Sequence, residues 1–293
     1  MILNENEMNT FTNQIAIYMK ILKENYNVNY LSISPNKNSI FYLENDLKSP
    51  IDLHIPLDAG IGRGVLIRKS WDLPKINFIK LVTRETKSPL CLVDVGTNIG
   101  LITRECIGNV ENIKTAYAYE PHPSNFSLLS KNFSGIERIN INLINAGLGK
   151  SNGTLNFYLD PDNAGNYSLN INAMPANMEC SSIKVEILSA NEEKEKWLQN
   201  NEAIVYKSDT QGYDEIIATS YDLSFWDHVK CGIFELWRID GKEYDRDKFC
   251  TILDKFTHRV FGANPTRNVS VKEVDQYLYG CEGDFDDLLI WND

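Results

Sequence analysis

Two short runs constrain this chain more than anything else in it: Leu92-Val93-Asp94-Val95-Gly96-Thr97-Asn98-Ile99-Gly100 and Tyr117-Ala118-Tyr119-Glu120-Pro121. Each contains an apolar stretch that ends in an acid, and a turn of small residues follows the first. A strand buried on both faces requires the apolar stretch, and a backbone that approaches a ligand closely requires the small residues. The second acid then stands where it can accept hydrogen bonds from ribose hydroxyls. The pattern predicts an open α/β sheet that holds a nucleotide-shaped cofactor beyond its strand ends.

The surrounding sequence carries the matching rhythm. Apolar spacing predicts a helix over 74–84, then strands over 90–95, 114–120, 139–146, 203–209 and 229–237. Helices are expected over 99–107, 123–132 and 213–218, with Pro123 well placed in a first helical turn. Strands alternating with helices give a mainly parallel sheet with helices on both faces. The tail reads as helices over 245–256 and 271–278 and a last strand over 286–291.

Residues 1–70 read as an α+β appendage to a core domain over 71–293. Its first part is an amphipathic helix over 9–25, suited to packing on the core or on a second subunit, so a homo-oligomer is an open expectation. Short strands are expected over 28–34, 39–43 and 51–55. Gly60, Gly62 and Gly64 cluster without the Lys-Ser/Thr that ends a P-loop, and read as a turn. The interval 151–201 breaks the rhythm with two strand patterns, 154–159 and 183–188, around an Asn-rich stretch. A loop of that length is expected to act as a partial lid.

Composition excludes several classes of partner. The 293 residues carry 29 Lys+Arg against 40 Asp+Glu, a net charge of −11, which opposes general binding to nucleic acid or an anionic membrane. No apolar run approaches the roughly 20 residues that span a bilayer, so no integral membrane segment is expected. The start of the chain is polar and acidic rather than signal-like. Six dispersed cysteines lack zinc spacing and read as reduced core residues, consistent with a cytoplasmic protein.

Ligands of open α/β sheets bind beyond the carboxyl ends of the strands. Asp94, Glu120, Asn145, Asp209 and Glu235 all fall at such ends here. The first turn, Gly96-Thr97-Asn98-Ile99-Gly100, is G-x-N-x-G rather than the dinucleotide G-x-G-x-x-G. With no diphosphate to approach, the further glycine is less needed. The turn suits a cofactor whose own amino and carboxylate groups meet backbone, which favours S-adenosylmethionine over a dinucleotide.

These motifs, with Tyr119-Glu120-Pro121-His122-Pro123, Asn145-Ala146-Gly147-Leu148-Gly149, Gly153-Thr154-Leu155-Asn156-Phe157, Lys207-Ser208-Asp209-Thr210-Gln211-Gly212-Tyr213-Asp214 and Glu235-Leu236, resemble those of the FkbM family of S-adenosylmethionine-dependent methyltransferases. The likeness covers about residues 90–240 and weakens in Asp286-Asp287-Leu288-Leu289. The family pattern K-I-D-V-E-G-x-E keeps Lys207, Asp209 and Gly212 here, while Ser208, Gln211 and Asp214 depart from it.

The resemblance implies a Rossmann-like class I methyltransferase fold and transfer to a hydroxyl of a sugar, glycan or sugar-bearing metabolite. It places Glu120 on the ribose hydroxyls, and Asp94, Gly96, Asn98 and Gly100 around the methionine end. Ala146 and Gly147 border adenine, and Thr97, Leu101, Pro121 and Asp209 complete the cofactor set. Asp209 is the expected base, with Lys207 on the same strand face and Glu235 beside them. Lys207 reads equally well as a structural ion pair. No metal is expected, since two carboxylates lack an evident third ligand. His122 reads as pocket wall, Trp226 and Trp237 as core or a sugar-stacking surface. The alternatives are an NAD-dependent enzyme with the same two-acid layout and a non-catalytic cofactor-binding subunit.

Overall fold

The computed structural model describes residues 13, 17, 20, 30–33, 53–56, 60–62, 64, 71–161, 163–174, 180–199, 203–239, 242–279 and 285–293. The helix expected over 9–25 lies outside these, except that Asn13, Ile17 and Lys20 are helical; the strand expected over 39–43 lies outside them entirely.

The central sheet follows from near-continuous apolar runs that are buried on both faces. It contains β3 (Leu90–Val95), β4 (Ile113–Tyr119), β5 (Asn140–Ile144), β9 (Ala203–Ser208), β10 (Val229–Trp237), β11 (His258–Phe261) and β12 (Phe285–Trp291), in the order β11-β12-β10-β9-β3-β4-β5. β5, β4, β3, β9 and β10 run parallel; β12 runs antiparallel to both of its neighbours. The expected doubly wound, Rossmann-like α/β architecture is therefore present.

Alternation along each strand feeds two separate cores. Cys91, Val93 and Val95 of β3, Tyr206 of β9 and Phe234 of β10 belong to one, with Trp197, Tyr221, Phe225 and Trp226. Leu90 and Leu92, Val205, Ile233 and Leu289 face the other. That second face is covered by α1 (Leu73–Thr83), α2 (Leu101–Asn109) and α3 (Pro123–Asn132), through residues such as Ile76, Ile79, Cys106 and Leu129. By the same parity Asp94, Lys207, Asp209, Glu235 and Asp287 belong to the α1 side of the sheet. Register sharpens this: Asp94 lies beside Lys207, and Glu235 beside Asp287.

Several boundaries move for local reasons. The helix expected from residue 99 begins at Leu101, because Asn98 (φ 56°) and Gly100 (φ 86°) are left-handed and cannot be helical. The third strand stops at Ile144, where the Asn145 side chain turns back and donates to the carbonyls of Glu120 (2.8 Å) and Pro121 (3.2 Å). Elements not expected include β11, the short strand Gly147–Gly149, and α4 (Ala190–Trp197), which lies at the end of the insertion.

The insertion itself forms a second sheet. β7 (Gly153–Leu159) pairs antiparallel with β8 (Ser181–Ser189), whose other edge carries β6 (Gly147–Gly149) in parallel. Ahead of the core, β1 (Tyr30–Ile33) and β2 (Leu53–Pro56) form an antiparallel pair. Asn132 fastens β2 to α3, accepting from the His54 amide and donating to the carbonyls of His54 and Ile99. Five described cysteines are free thiols, and no described helix is long and apolar enough to cross a membrane.

Candidate active site

The carboxyl ends of β3, β4, β9 and β10 open into a cavity of about 530 Å³, a size typical of small-molecule sites. One half is built on backbone. Gly96 and Thr97 donate to the Tyr119 carbonyl, both at 3.0 Å, so the turn after β3 is stitched to the end of β4. Gly96 has φ 75°, and a Cβ there would lie 2.0 Å from the Asp209 carbonyl oxygen, so only glycine fits. Asn98 takes the left-handed position that asparagine tolerates, and its Nδ2 donates to the Ala164 carbonyl at 3.0 Å. The insertion is thereby held against the turn.

Glu120 closes this half. Its Oε2 accepts from the Asn98 amide at 2.9 Å and its Oε1 from the His122 amide at 2.8 Å. Burial pushes its carboxyl up to about 7, against the opposing pull of those two amides. Each carboxylate oxygen has capacity for a second donor, so the group remains fit to receive hydroxyls from the cavity. His122 stands off the cavity wall; its ring packs against Tyr167 at 4.7 Å.

The other half is built on charge. Lys207, 2 % exposed, places Nζ 2.9 Å from Asp94 Oδ1, 2.9 Å from the Gly96 carbonyl and 3.9 Å from Asp209 Oδ2. Thr103 donates to the other Asp94 oxygen. Burial opposes the Lys207 charge, but Asp94 and Asp209 hold its pKa above the ordinary value. Asp209 Oδ1 accepts from Gln211 Nε2 at 3.0 Å, and the same nitrogen reaches Glu235 Oε2 at 2.8 Å. Trp237 Nε1 also donates to Glu235 Oε2, at 2.7 Å, while its ring stacks on Phe285 at 4.9 Å.

The two carboxyls are driven apart. Burial acts to raise Asp209, yet Lys207 and Lys75 outweigh it and hold the group down to about 2. Burial and the neighbouring Asp209 charge push Glu235 well up. The pair thus favours one ionised and one protonated carboxyl.

The cavity brings together most of the residues expected from sequence: Gly96, Thr97, Asn98, Leu101, Glu120, Pro121, Gly147, Lys207, Asp209 and Glu235 all line it. Asp94, Gly100 and Ala146 do not. Asp94 is spent on Lys207 and Thr103 beneath the floor, and Gly100 is packed under Phe133 and Leu129. Trp226 is core and Trp237 is wall. Among the described residues no cluster of His, Cys, Asp and Glu is arranged to hold a metal.

Sequence reasoning missed the contributions of Gly60, Asp72, Lys75, Asn163 and Asp287. The glycine cluster read as a turn includes Gly60, whose carbonyl accepts from Gly64 at 2.9 Å and which packs on Asn163. Lys75 had one signal, a lysine on the same buried helix face as Ile76, Ile79 and Thr83.

No protein-family model matches the chain, and no curated relative does. The resemblance to the FkbM family therefore rests on the motifs alone. Among solved structures, the chain is similar to a precorrin-6y C5,15-methyltransferase from Geobacter metallireducens GS-15, at 10% identity over 75% of this chain and 88% of that one, with a TM-score of 0.35. A SAM-dependent methyltransferase from Agrobacterium tumefaciens shows 8% identity over 90% and 70%, TM-score 0.41. A putative caffeoyl-CoA O-methyltransferase from Staphylococcus aureus shows 11% identity over 76% and 85%, TM-score 0.35. At these scores the fold assignment stands on the strand order, register and two-sided core.

Proposed function

We propose that this protein is an S-adenosylmethionine-dependent O-methyltransferase of the FkbM type, acting in the cytoplasm on a hydroxyl of a sugar, glycan or sugar-bearing metabolite. One observation carries the reading. A small-residue turn with a buried ribose-type acid and an ionised carboxylate beside a second acid line one cavity.

The residues fit the cofactor. Gly96 lets the turn close against the Asp209 carbonyl at the cavity edge, and Glu120, on the cavity wall, retains acceptor capacity toward ribose hydroxyls. When bound, the cofactor supplies a methyl group on a positively charged sulfur. The insertion around Asn163–Tyr167 acts as a partial lid, and the Trp237–Phe285 stack offers an aromatic face to a sugar ring.

Asp209 is assigned to the acceptor oxygen. An acceptor hydroxyl that received that methyl group would become a positively charged, protonated ether oxygen, and Asp209 would take the proton that it must lose. A protonated ether is a far stronger acid than any carboxylic acid, so a carboxyl held at about 2 is base enough. What Asp209 must be is ionised and aligned. Lys207 fixes it relative to the Gly96 turn, and Glu235, tied through Gln211, holds the acceptor's other hydroxyls.

Thermal shifts with S-adenosylhomocysteine and with NADH, run separately, test the cofactor. Stabilisation by the first alone is expected; stabilisation by NADH alone sinks the reading in favour of a dehydrogenase-like enzyme. Transfer of labelled methyl to a panel of sugars tests the acceptor. Asp209→Asn is expected to lower turnover at least about 100-fold with S-adenosylhomocysteine affinity kept within twofold, and unchanged turnover removes Asp209 from the mechanism.

A further inference from the structure

Helix α1 lies ahead of the βαβ core in the chain, yet it sends one charged side chain into the strand ends. Lys75 is 5 % exposed, and its Nζ lies 2.9 Å from Asp287 Oδ1, 2.9 Å from Asp72 Oδ2 and 3.6 Å from Asp209 Oδ2. Those partners come from three places: the residue before α1, the end of β9, and the antiparallel strand β12. The side chain is on the cavity wall and has no other described anchor than these acids.

The groups facing it make the charge balance legible. Asp72 belongs to its own helix start, Asp209 and Lys207 to β9 and its end, Glu235 to β10 and Asp287 to β12; Asp214, behind Glu235, adds a further acid. Lys207 is committed to Asp94 and the Gly96 carbonyl, both at 2.9 Å, and is 3.9 Å from Asp209. Lys75 is therefore the nearer ammonium to Asp209, and the one not shared with the cofactor turn. Without it, four carboxyls of the cavity wall, Asp72, Asp209, Glu235 and Asp287, would remain, with Lys207 the cation that the described residues place beside Asp209.

We propose that Lys75 is a positioning residue for the Asp209 carboxylate: reaching in from α1, it clamps Asp209 and Asp287 and determines which of the clustered acids carries the negative charge. Coulomb attraction to Lys207 and then to Lys75, with hydrogen bonds from Glu235 and Gln211, holds Asp209 low, and Asp287 sits at about 6, pushed up by burial and Asp209 and restrained by Lys75. A neutral residue at position 75 lets the cluster redistribute its protons, so that Asp209 loses its preference for the ionised form. Catalytic use of that charge rests on the methyltransferase reading; the charge assignment itself does not.

The test is carbon-detected NMR titration of the full-length protein labelled at aspartate and glutamate carboxyls, with Asp209 assigned from Asp209→Asn. Between pH 4 and pH 8 the wild-type Asp209 signal is expected to stay flat, and in Lys75→Met to titrate inside that window, a rise of about two pH units or more. Lys75→Arg, which keeps the cation, is expected to restore the flat profile. If Lys75→Met folds poorly, Lys75→Met combined with Asp287→Asn removes the clamp without orphaning Asp287, and the same Asp209 response is expected. A flat Asp209 signal in either neutral variant overturns the proposal, even where melting temperature falls. Calorimetry with S-adenosylhomocysteine on the same samples separates the two readings: a wild-type protein that does not bind it defeats the methyltransferase assignment, while the Asp209 titration still decides the role of Lys75.

Discussion

The two halves of the cavity are made by different physics. The half to which we assign the cofactor is local and nearly neutral: the turn at Gly96–Gly100 and Glu120 come from successive strand ends, and they are joined by amide hydrogen bonds. The half to which we assign the acceptor is assembled from α1, β9, β10 and β12 and joined by ion pairs and shared acids. Amide hydrogen bonds fix shape at little electrostatic cost. A buried cluster of charges fixes a protonation pattern, and removing one partner leaves the rest uncompensated. The first arrangement suits holding a ligand, the second moving a proton.

Substitutions can break that division or sharpen it. The largest effect is expected for Gly96→Ala, since its Cβ would collide with the Asp209 carbonyl, where the two halves touch. Left-handed strain of ~1–2 kcal/mol and overpacking of ~1–3 kcal/mol should lower the melting temperature, and both ligand affinity and turnover should fall together. A variant that melts and binds like wild type contradicts the turn described above.

Glu120→Gln is expected to act on one half only. Loss of a charged acceptor costs about 1.5–3 kcal/mol, read by calorimetry as a ~10–100-fold weaker affinity for S-adenosylhomocysteine, with the Asp209 carboxyl titration unmoved. The wild type should show the same dependence through pH. Because the Glu120 carboxyl of the free protein titrates near 7, affinity should rise from pH 6 to pH 8 as the better acceptor, the ionised form, is populated. Binding at pH 6 should then release protons to buffer. A pH-independent affinity would place the ribose contacts elsewhere.

The smallest effect, and the finest probe of the other half, is Trp237→Phe. It keeps a ring against Phe285 but removes the indole donor to Glu235. A neutral donor to an acid contributes about 1 kcal/mol, so the KM for the acceptor should rise roughly fivefold while affinity for S-adenosylhomocysteine stays within twofold. Equal losses in both would show the halves to be less separate than their bonding implies.

The same contrast explains what could be read from the chain. β3, β4 and the turn between β3 and α2 are contiguous, so their apolar runs and small residues announced both the sheet and one wall of the cavity. Strand parity also placed Lys207 and Asp209 on a common face. Asp287 was visible only as an acid near a final strand, because its meeting with Glu235 depends on an antiparallel pairing that no local pattern encodes. Lys75 depends on how α1 packs. Helix α4 was hidden by polarity: Glu193 and Lys194 are buried on it beside Ala190 and Trp197, in a sequence that reads as a solvated run. β11 is only His258–Phe261, too short for periodicity to declare.

Lys207 has a thermodynamic consequence. Its ammonium touches the Gly96 carbonyl on one side and lies 3.9 Å from Asp209 on the other. A ligand that shifts the turn shifts the field at the acid, and protonation at the acid shifts the lysine that holds the turn. Linkage makes such influence reciprocal: whatever factor an occupied cofactor site applies to acceptor affinity, an occupied acceptor site applies to cofactor affinity.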